Sequence, residues 1–461
     1  MARLNPVSGN MNHFIADKEK ISYKDKKAET LPKEQLEEIQ LKKIKQEITQ
    51  ALRSPFYRKH LSDCGLGLSE EIRSISSVAK LPFTEKNDLR EWYPQGLLAV
   101  PMSEVTRVHA SSGTTGTPTI VYLSMPDVMR SSEIMARCLV SIGLGSRDIV
   151  QNMMSYGLFT GGMVFHGGAE RIGAAVIPSG SGNTIRQLKL MKDLHTTVIH
   201  ATPGYLQHLS YVMHKEGYRS SDFTLRAAVT GAEPHTELMR NKLEALFGIP
   251  IFNCYGMSEF GGPGTGFECI FQTGMHVQED NFFIEIINPD TGEVLPEGSI
   301  GELVVTTLGR EAMPLIRYRT RDITRIIPGT CPCGRTHRRI DRFTGRTDDM
   351  LIINGVNVFP SQIEEVLGGE KYLGTNYRLI IERTHGRDQL TVQAELCGSI
   401  HAGSDSCLPN SHSNKQAISL NLSTKIAALI TITPVIALLE EGTLPVSSGK
   451  ACRVEDRRRL I

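Results

Sequence analysis

The chain has 461 residues, more than one ordinary hydrophobic core accommodates, so at least two domains are expected. Hydrophobic residues make up 40% and charged residues 22%, a globular balance that excludes a disordered or fibrous chain. The net charge of +1 leaves no electrostatic footprint for nucleic acid or for an anionic membrane surface.

In chain order, Met1 to Asn10 has no apolar core of the secretory kind, so no signal peptide is expected. Lys18 to Glu29 is charged and poor in large apolar residues, and residues 1–29 are read as a mobile arm. From Leu31 to Arg53, Leu36, Ile39, Leu41, Ile44, Ile48 and Leu52 recur near helical spacing, and Pro55 follows as a stop. Between Val105 and Gly345 short apolar runs alternate with helical stretches: Ala174–Ile177, Thr197–Ala201, Ala227–Thr230 and Ile251–Tyr255. Each run ends in a Gly, Ser, Thr or Pro-rich loop. That alternation predicts an α/β fold with a largely parallel sheet and a ligand at the carboxyl ends of its strands. Phe282–Ile287 and Gly301–Thr306, separated by a Pro-Asp-Thr-Gly turn, read as a hairpin.

After Gly345 the pattern resets. The apolar run Met350–Ile353 leads into an Asn354-Gly355 turn, and Pro360 opens a helix through Leu367. The expected division is therefore 1–29, 30–346 and 347–461. Gly398 to Gln416, rich in Ser, Gly, Asn and His, reads as a flexible loop. The longest apolar stretch, Ile426 to Leu439, is too short for a bilayer and is interrupted by Thr431, Thr433 and Pro434; it reads as a buried helix running into a strand. Nine cysteines, an odd number scattered through a large chain, point to a reducing cytoplasmic compartment and to metal ligation rather than disulfides.

Five segments carry chemistry. Ser111-Ser112-Gly113-Thr114-Thr115-Gly116-Thr117-Pro118 combines backbone freedom with hydroxyl and amide donors for phosphate oxygens, and lacks the Gly-Lys-Ser/Thr ending of a Walker loop. Tyr255-Gly256-Met257-Ser258-Glu259 follows an apolar run, where a strand-end carboxylate can hold a nucleotide's magnesium. Its nearest approach to a hydrolase elbow lacks the final glycine. In Arg317-Tyr318-Arg319-Thr320-Arg321-Asp322, the aspartate can accept two ribose hydroxyls and the arginines can hold phosphates. Gly345-Arg346-Thr347-Asp348-Asp349 lies at the expected boundary. Ser447-Ser448-Gly449-Lys450 places a lysine on a glycine-containing loop, suited to neutralising a reacting carboxylate or phosphate.

Taken in this order, the segments resemble the adenylate-forming superfamily, and more closely its phenylacetate–CoA ligase family. The residues carrying the resemblance are His109 to Pro118, Tyr255 to Gly264, and Gly301 to Leu367 with its runs Glu311 to Asp322 and Asn354 to Glu364. The resemblance implies a large N-terminal domain of mixed β-sheets flanked by helices, plus a small mobile α+β C-terminal lid. It implies an ATP-dependent ligase that adenylates an aryl acid and passes the acyl group to coenzyme A, with magnesium. By the same resemblance Ser111, Ser112, Gly113, Thr114, Thr115 and Gly116 close over the phosphates. Glu259 binds magnesium, and Tyr255 stacks beside the adenine in a strand end that includes Gly256, Met257 and Ser258. Asp322 and Arg346 hold the ribose, and Lys450 bridges the carboxylate and the α-phosphate. Asp348 is the hinge and Gly355 lines the pantetheine tunnel. The acid lies between the segment after Tyr156 and the turn Gly231-Ala232-Glu233-Pro234, with Tyr156 and Phe159 facing a flat aromatic monoacid. Val446 stands where family members often carry Arg, and a homodimer is the family expectation.

Cys331-Pro332-Cys333-Gly334 is a tight pair of thiols. With Cys254 and His276 it forms the favoured set for a structural tetrahedral zinc, and Cys269 or His337 are the alternatives for one ligand. Two other functions stay open at this stage: an adenylate-forming enzyme with another acceptor, such as a carrier protein or a deazaflavin cofactor, and a nucleotide sensor without turnover.

Overall fold

The computed structural model describes residues 21–63, 72–111, 118–347, 351–354, 356–370, 372–384, 387–397, 412–445 and 453–458. Its largest sheet has nine strands. Five run parallel in the order Ala175–Ile177, Ile149–Asn152, Val198–Ala201, Ala227–Gly231, Ile251–Met257. Strands Val198–Ala201 and Ala227–Gly231, in the middle of this part, are buried at every residue and mostly apolar, as expected for parallel strands covered on both faces. Two of these helices, Pro203–Lys215 and Glu237–Phe247, start at Thr202 and Thr236, whose side chains accept the free amides of Tyr205 and Met239. The sheet is mixed rather than largely parallel. After Met257 the chain doubles back, and Gly262–Glu268, Met275–Val277, Arg339–Ile340 and Ile326–Ile327 extend it antiparallel.

A second, four-stranded antiparallel sheet runs Phe282–Ile287, Gly301–Thr307, Tyr318–Thr324, Gly345–Arg346. Its first two strands are the expected hairpin, with Phe282 opposite Thr307. The expected first helix spans Lys33–Ala51. Among residues after 350, Leu351–Ile353 pairs back on Val356–Val358, and helix Pro360–Gly368 follows. Strands Val435–Leu439, Arg387–Leu396, Leu373–Thr384 and Val454–Asp456 form a further sheet in that order, with helix His412–Ile430 packed beside it. The apolar stretch beginning at Ile426 is indeed a helix end and then a strand, broken at Thr431, whose φ is 58°. Residues 412–416 open that helix instead of belonging to a loop, while 398–411 lie outside the described residues.

Buried apolar side chains form separate clusters. One fills the space between the two large sheets, one lies behind the parallel strands, and one is made of residues from Ile353 to Ile430. No described helix is long and apolar enough to cross a membrane.

The first helix is tied to the segment before the Arg317–Asp322 motif by one buried carboxylate. Glu47 interacts with the Thr307 hydroxyl and accepts the amides of Gly309 at 2.5 Å and Arg310 at 3.0 Å. Burial raises its pKa to about 8, against those hydrogen bonds. The folded state therefore keeps a proton that the unfolded state loses above the ordinary glutamate range, so this group's contribution falls as pH rises through that window. In thermal melts the difference between wild type and Glu47→Gln should move in favour of the glutamine variant between the ordinary value of 4.5 and about 8. A pH-independent difference would contradict a protonated Glu47.

Candidate active site

Strand Ile251–Met257 delivers Tyr255 to the carboxyl edge of the large sheet, where the Asp322–Arg346 cross-strand pair of the second sheet meets it. The Tyr255 hydroxyl donates to Asp322 Oδ2 at 2.7 Å, and Arg346 donates to Oδ1 at 2.8 Å. Burial and the Asp322 charge push the Tyr255 hydroxyl well above its usual range, so it stays a donor. The Tyr255 ring lies 4.2 Å from that of Phe343, forming an aromatic wall beside the carboxylate. Asp322 keeps lone pairs beyond the two used here, so it can accept further hydroxyls.

Glu259 sits in the turn Ser258–Phe260 directly after this strand. It is buried, and its Oε1 has no hydrogen-bond partner among the described atoms. A buried carboxylate oxygen without a donor fits a hard cation. The reversal around it depends on glycine. A Cβ at Gly256 would stand 2.1 Å from the Gly262 carbonyl, and Gly261 holds a φ of 106°. The Thr160 hydroxyl lies 3.1 Å from that of Ser258 and links the turn to helix Thr160–Arg171.

On the neighbouring strand, Gly231 passes the Cys254 carbonyl so closely that a Cβ would lie 2.8 Å away, and Ala232 holds a φ of 67°. Glu233 accepts the Gly204 amide at 3.2 Å. Tyr156 lies on the loop after Ile149–Asn152. Its hydroxyl accepts from Asn152 Nδ2 at 2.8 Å and lies 3.1 Å from His166 Nδ1, while His166 Nε2 faces Glu170 at 3.0 Å. Burial raises the Tyr156 hydroxyl to about 12. Phe159, at the start of helix Thr160–Arg171, is partly exposed.

Other residues have roles or places that the sequence reading did not give. The arginines of the Arg317–Asp322 motif are not available for phosphates: Arg317 is bound to Glu285 at 2.9 Å, Arg319 to Glu302 at 2.6 Å and Arg321 to Glu85 at 2.8 Å. Burial requires the Arg317 and Arg319 guanidiniums to be paired, and Glu285 and Glu302 supply that pairing, whereas the Arg321–Glu85 pair is partly exposed. Ser112, Gly113, Thr114, Thr115, Gly116, Asp348, Gly355 and Lys450 lie outside the described residues, and only the backbone of Ser111 is described. Phe343, Thr160, Asn152 and His166 carry no motif signal; only the His166–Glu170 spacing on one helix was readable in advance.

A second polar centre lies at the far edge of the same sheet. The ligand atoms of Cys269, His276, Cys331 and Cys333 all lie within 4.8 Å of one another, and all four residues are buried. His276 Nε2 is 3.3 Å from Cys333 Sγ, and Cys269 Sγ is 3.7 Å from Cys331 Sγ. The Nδ1 of His276 lies 3.1 Å from the His337 carbonyl, which leaves Nε2 directed at the sulfurs. Burial opposes charge on His276, but the Cys331 and Cys333 sulfurs outweigh it and raise its pKa to about 9. Cys254 is not part of this group. It is a buried thiol of the first core with its pKa pushed up to about 12 by burial, and Cys269, in the turn after Gly262–Glu268, takes the place expected for it. His337 contributes its carbonyl rather than its ring.

The N-terminal arm is not free where it is described. The Tyr23 hydroxyl donates to the Cys333 carbonyl at 2.5 Å, Arg335 donates to Glu29 at 2.7 Å and to the Ser22 carbonyl at 2.6 Å, and the Arg335 guanidinium stacks 4.6 Å over the Tyr23 ring. Residues 22–29 thus clasp the Cys-Pro-Cys loop. The Glu29–Arg335 side chains are only 2% and 5% exposed, so removing one partner strands the other.

Residues 69–310 match the model of the AMP-binding enzyme family, and residues 355–458 match the AMP-binding enzyme C-terminal domain. The chain is 42% identical over 432 residues to a phenylacetate-coenzyme A ligase of Pseudomonas putida, covering 93% of this chain and 96% of that relative. The chain belongs to the phenylacetate–coenzyme A ligase family of adenylate-forming enzymes. Family membership also accounts for the fold. A 2-hydroxyisobutyryl-CoA ligase in its postadenylation state, in complex with R3-HIB-AMP, is 25% identical and superposes with a TM-score of 0.88 over 99% of this chain and 94% of that one. The same ligase in its thioesterification state superposes with a TM-score of only 0.70 over the same shares of both chains. This chain therefore superposes better on that ligase's postadenylation state than on its thioesterification state.

Glu29→Ala should cost about 3–5 kcal/mol in chemical unfolding, as expected for a buried arginine left unpaired. A cost within experimental error would show that the clasp is dispensable.

Proposed function

We propose that this chain activates an aryl carboxylic acid with ATP as an acyl-adenylate and then transfers the acyl group to coenzyme A, releasing pyrophosphate and AMP. The Tyr255–Asp322–Arg346 constellation, with Glu259 four residues after Tyr255 and its Oε1 without a partner among the described atoms, carries the reading. It offers an aromatic wall for a base, a carboxylate for ribose hydroxyls and an acidic oxygen for a cation.

In the first step a carboxylate oxygen of the acid attacks the α-phosphorus and pyrophosphate leaves. In the second the coenzyme A thiol loses its proton and attacks the acyl carbon, and AMP leaves. Glu259 would hold a magnesium ion, which when bound would supply charge screening between the two anions of the first step. Ser111 to Gly116 would hold the phosphates, Gly231 to Glu233 and Gly256 to Ser258 would frame the nucleotide, and Lys450 would neutralise the reacting oxygens. Gly355 would line the thiol's path.

Asp348 fits a hinge on physical grounds. Arg346 is fixed by Asp322, and the Thr347 amide donates to the Arg321 carbonyl at 2.7 Å. Leu351 is already paired with Val358. A rotation of the C-terminal unit would be taken up between them, which supports a domain boundary close to the expected 346/347. Tyr156, its hydroxyl fixed by Asn152 and His166, and Phe159 would line the acid pocket. The relative from Pseudomonas putida is named for phenylacetate, which makes that acid the first to test. The six described cysteines are free thiols, which suits the cytoplasm.

Purified protein with ATP, magnesium and a panel of aryl and short-chain acids should release AMP only when coenzyme A and an aryl acid are both present. Pyrophosphate exchange with no effect of coenzyme A on AMP release would move the reading to another acceptor, and no turnover with any aryl acid would overturn it.

The Cys269, His276, Cys331 and Cys333 cluster would hold a structural zinc through three thiolates and one imidazole. Cys331→Ser should lose the zinc and melt lower by about 5 °C or more, whereas Cys254→Ser should keep the metal. Zinc retained by Cys331→Ser, or lost from Cys254→Ser, would overturn this ligand set.

A further inference from the structure

Phe343 forms half of the aromatic wall beside Asp322, yet it stands between strands Arg339–Ile340 and Gly345–Arg346, outside the ladders of both. The turn Gly231 to Pro234, which frames the nucleotide in the reading above, has also left its strand by Ala232. Neither is held in place by regular pairing, so side chains have to do it.

One side chain joins the two. Arg342 immediately precedes Phe343, and His235 immediately follows the turn. Arg342 donates from Nη1 to His235 Nε2 at 3.1 Å, and its Nη2 meets Glu268 Oε1 at 3.2 Å and Glu237 Oε2 at 2.9 Å. A guanidinium can only donate, so Nε2 of His235 is the acceptor and the ring proton belongs on Nδ1. Burial, helped by the Arg342 charge, holds that ring neutral down to about 3. Glu268 carries the link to a third element. It is 2% exposed, and its Oε2 accepts the Asn253 amide at 2.8 Å, two residues before Tyr255 in the same strand. The root of Arg342 is fixed as well: its amide donates to Asp341 Oδ1 at 2.8 Å, and Asp341 Oδ2 is bound to Arg325 at 2.9 Å.

We propose that Arg342 is a positioning residue for the nucleotide: by joining His235, Glu268 and Glu237 it sets the spacing between the Tyr255–Phe343 wall and the turn Gly231 to Pro234, and with it the slot for the base. Its planar fork reaches acceptors on different elements at fixed angles, which a lysine's single ammonium cannot reproduce. Glu268 at its burial is tolerable as an anion only with that fork beside it, so loss of either partner loosens both walls together. Arg342 acts through these neighbours and needs no contact with the base. The inference rests on the nucleotide reading of the Tyr255–Asp322–Arg346 site.

The test is made on the full chain with ATP, magnesium, phenylacetate and coenzyme A. Arg342→Gln should raise KM for ATP by about tenfold, the scale on which one contact in such a network shifts a neighbouring site. The KM values for the acid and for coenzyme A should stay within twofold, and kcat should change little, because binding is lost equally from ground and transition states. Arg342→Lys should recover part of the loss. Glu268→Gln keeps an acceptor for the Asn253 amide and should show the same ATP-specific effect more weakly, a second route should Arg342→Gln fold poorly. An equal rise in all three KM values, or an unchanged ATP KM in the folded variants, would overturn the proposal. Calorimetric titration with AMP gives a readout independent of turnover: AMP should bind Arg342→Gln and Glu268→Gln more weakly than wild type. Equal AMP affinity in all three would refute the positioning role while leaving the nucleotide site intact. A wild type that bound neither AMP nor ATP would overturn the nucleotide site itself, and the proposal with it.

Discussion

The carboxylate of Asp322 is the point on which the two large sheets agree. One oxygen takes the Tyr255 hydroxyl from the nine-stranded sheet, and the other takes Arg346 from its own sheet. At 7% exposure an ionised carboxylate is tolerable only with both partners present. That requirement fixes the position of Tyr255, and with it Glu259 four residues later. It also fixes the strand Gly345–Arg346, from which the chain leaves for the C-terminal unit. The nucleotide reading, the cation reading and the hinge reading therefore share one electrostatic constraint.

Other buried carboxylates act as fasteners in the same way, replacing regular structure where the chain has none. The segment between Thr307 and Ala312 is held by Glu47 from one helix and Asp127 from another. Glu47 accepts the amides of Gly309 and Arg310, and Asp127 those of Glu311 and Ala312 at 2.9 Å each. Glu29 does the same for the arm, accepting the amides of Lys24 and Asp25. Each carboxylate satisfies several donors that would be costly to bury alone. This explains how an irregular segment can precede the Arg317–Asp322 motif without loosening it.

Much of this was readable from sequence, for a physical reason. Glycine at 256 and at 261, the aspartate at 322 and the glutamate at 259 are single residues whose backbone or charge has few other uses in such a setting. The Phe282–Thr307 hairpin and the first helix follow from local pattern alone. What sequence did not reveal was the choice among equivalent partners. Cys254 and Cys269 are both thiols near the same strands, and only the fold decides that one faces the core and the other faces Cys331. The arginines at 317, 319 and 321 looked like phosphate ligands because Glu285, Glu302 and Glu85, which occupy them, are distant in sequence. The arm looked mobile because its order comes from Arg335, some 306 residues beyond Glu29.

The seam between helices Glu237–Phe247 and Pro360–Gly368 is thin and mixes Thr236, Lys242 and Glu364 with Met239 and Leu367. Under the proposed reaction the C-terminal unit changes its placement, and that composition suits such a change. An interface as apolar as the three cores would favour one placement by far more than ligand binding could reverse. A purely exposed polar contact would favour none, since surface ion pairs contribute little. The mixed lining of this seam, with Lys242 and Glu364 beside Met239 and Leu367, lies between these limits. If the C-terminal unit changes its placement between the two proposed steps, the polarity of the seam is a condition for that change.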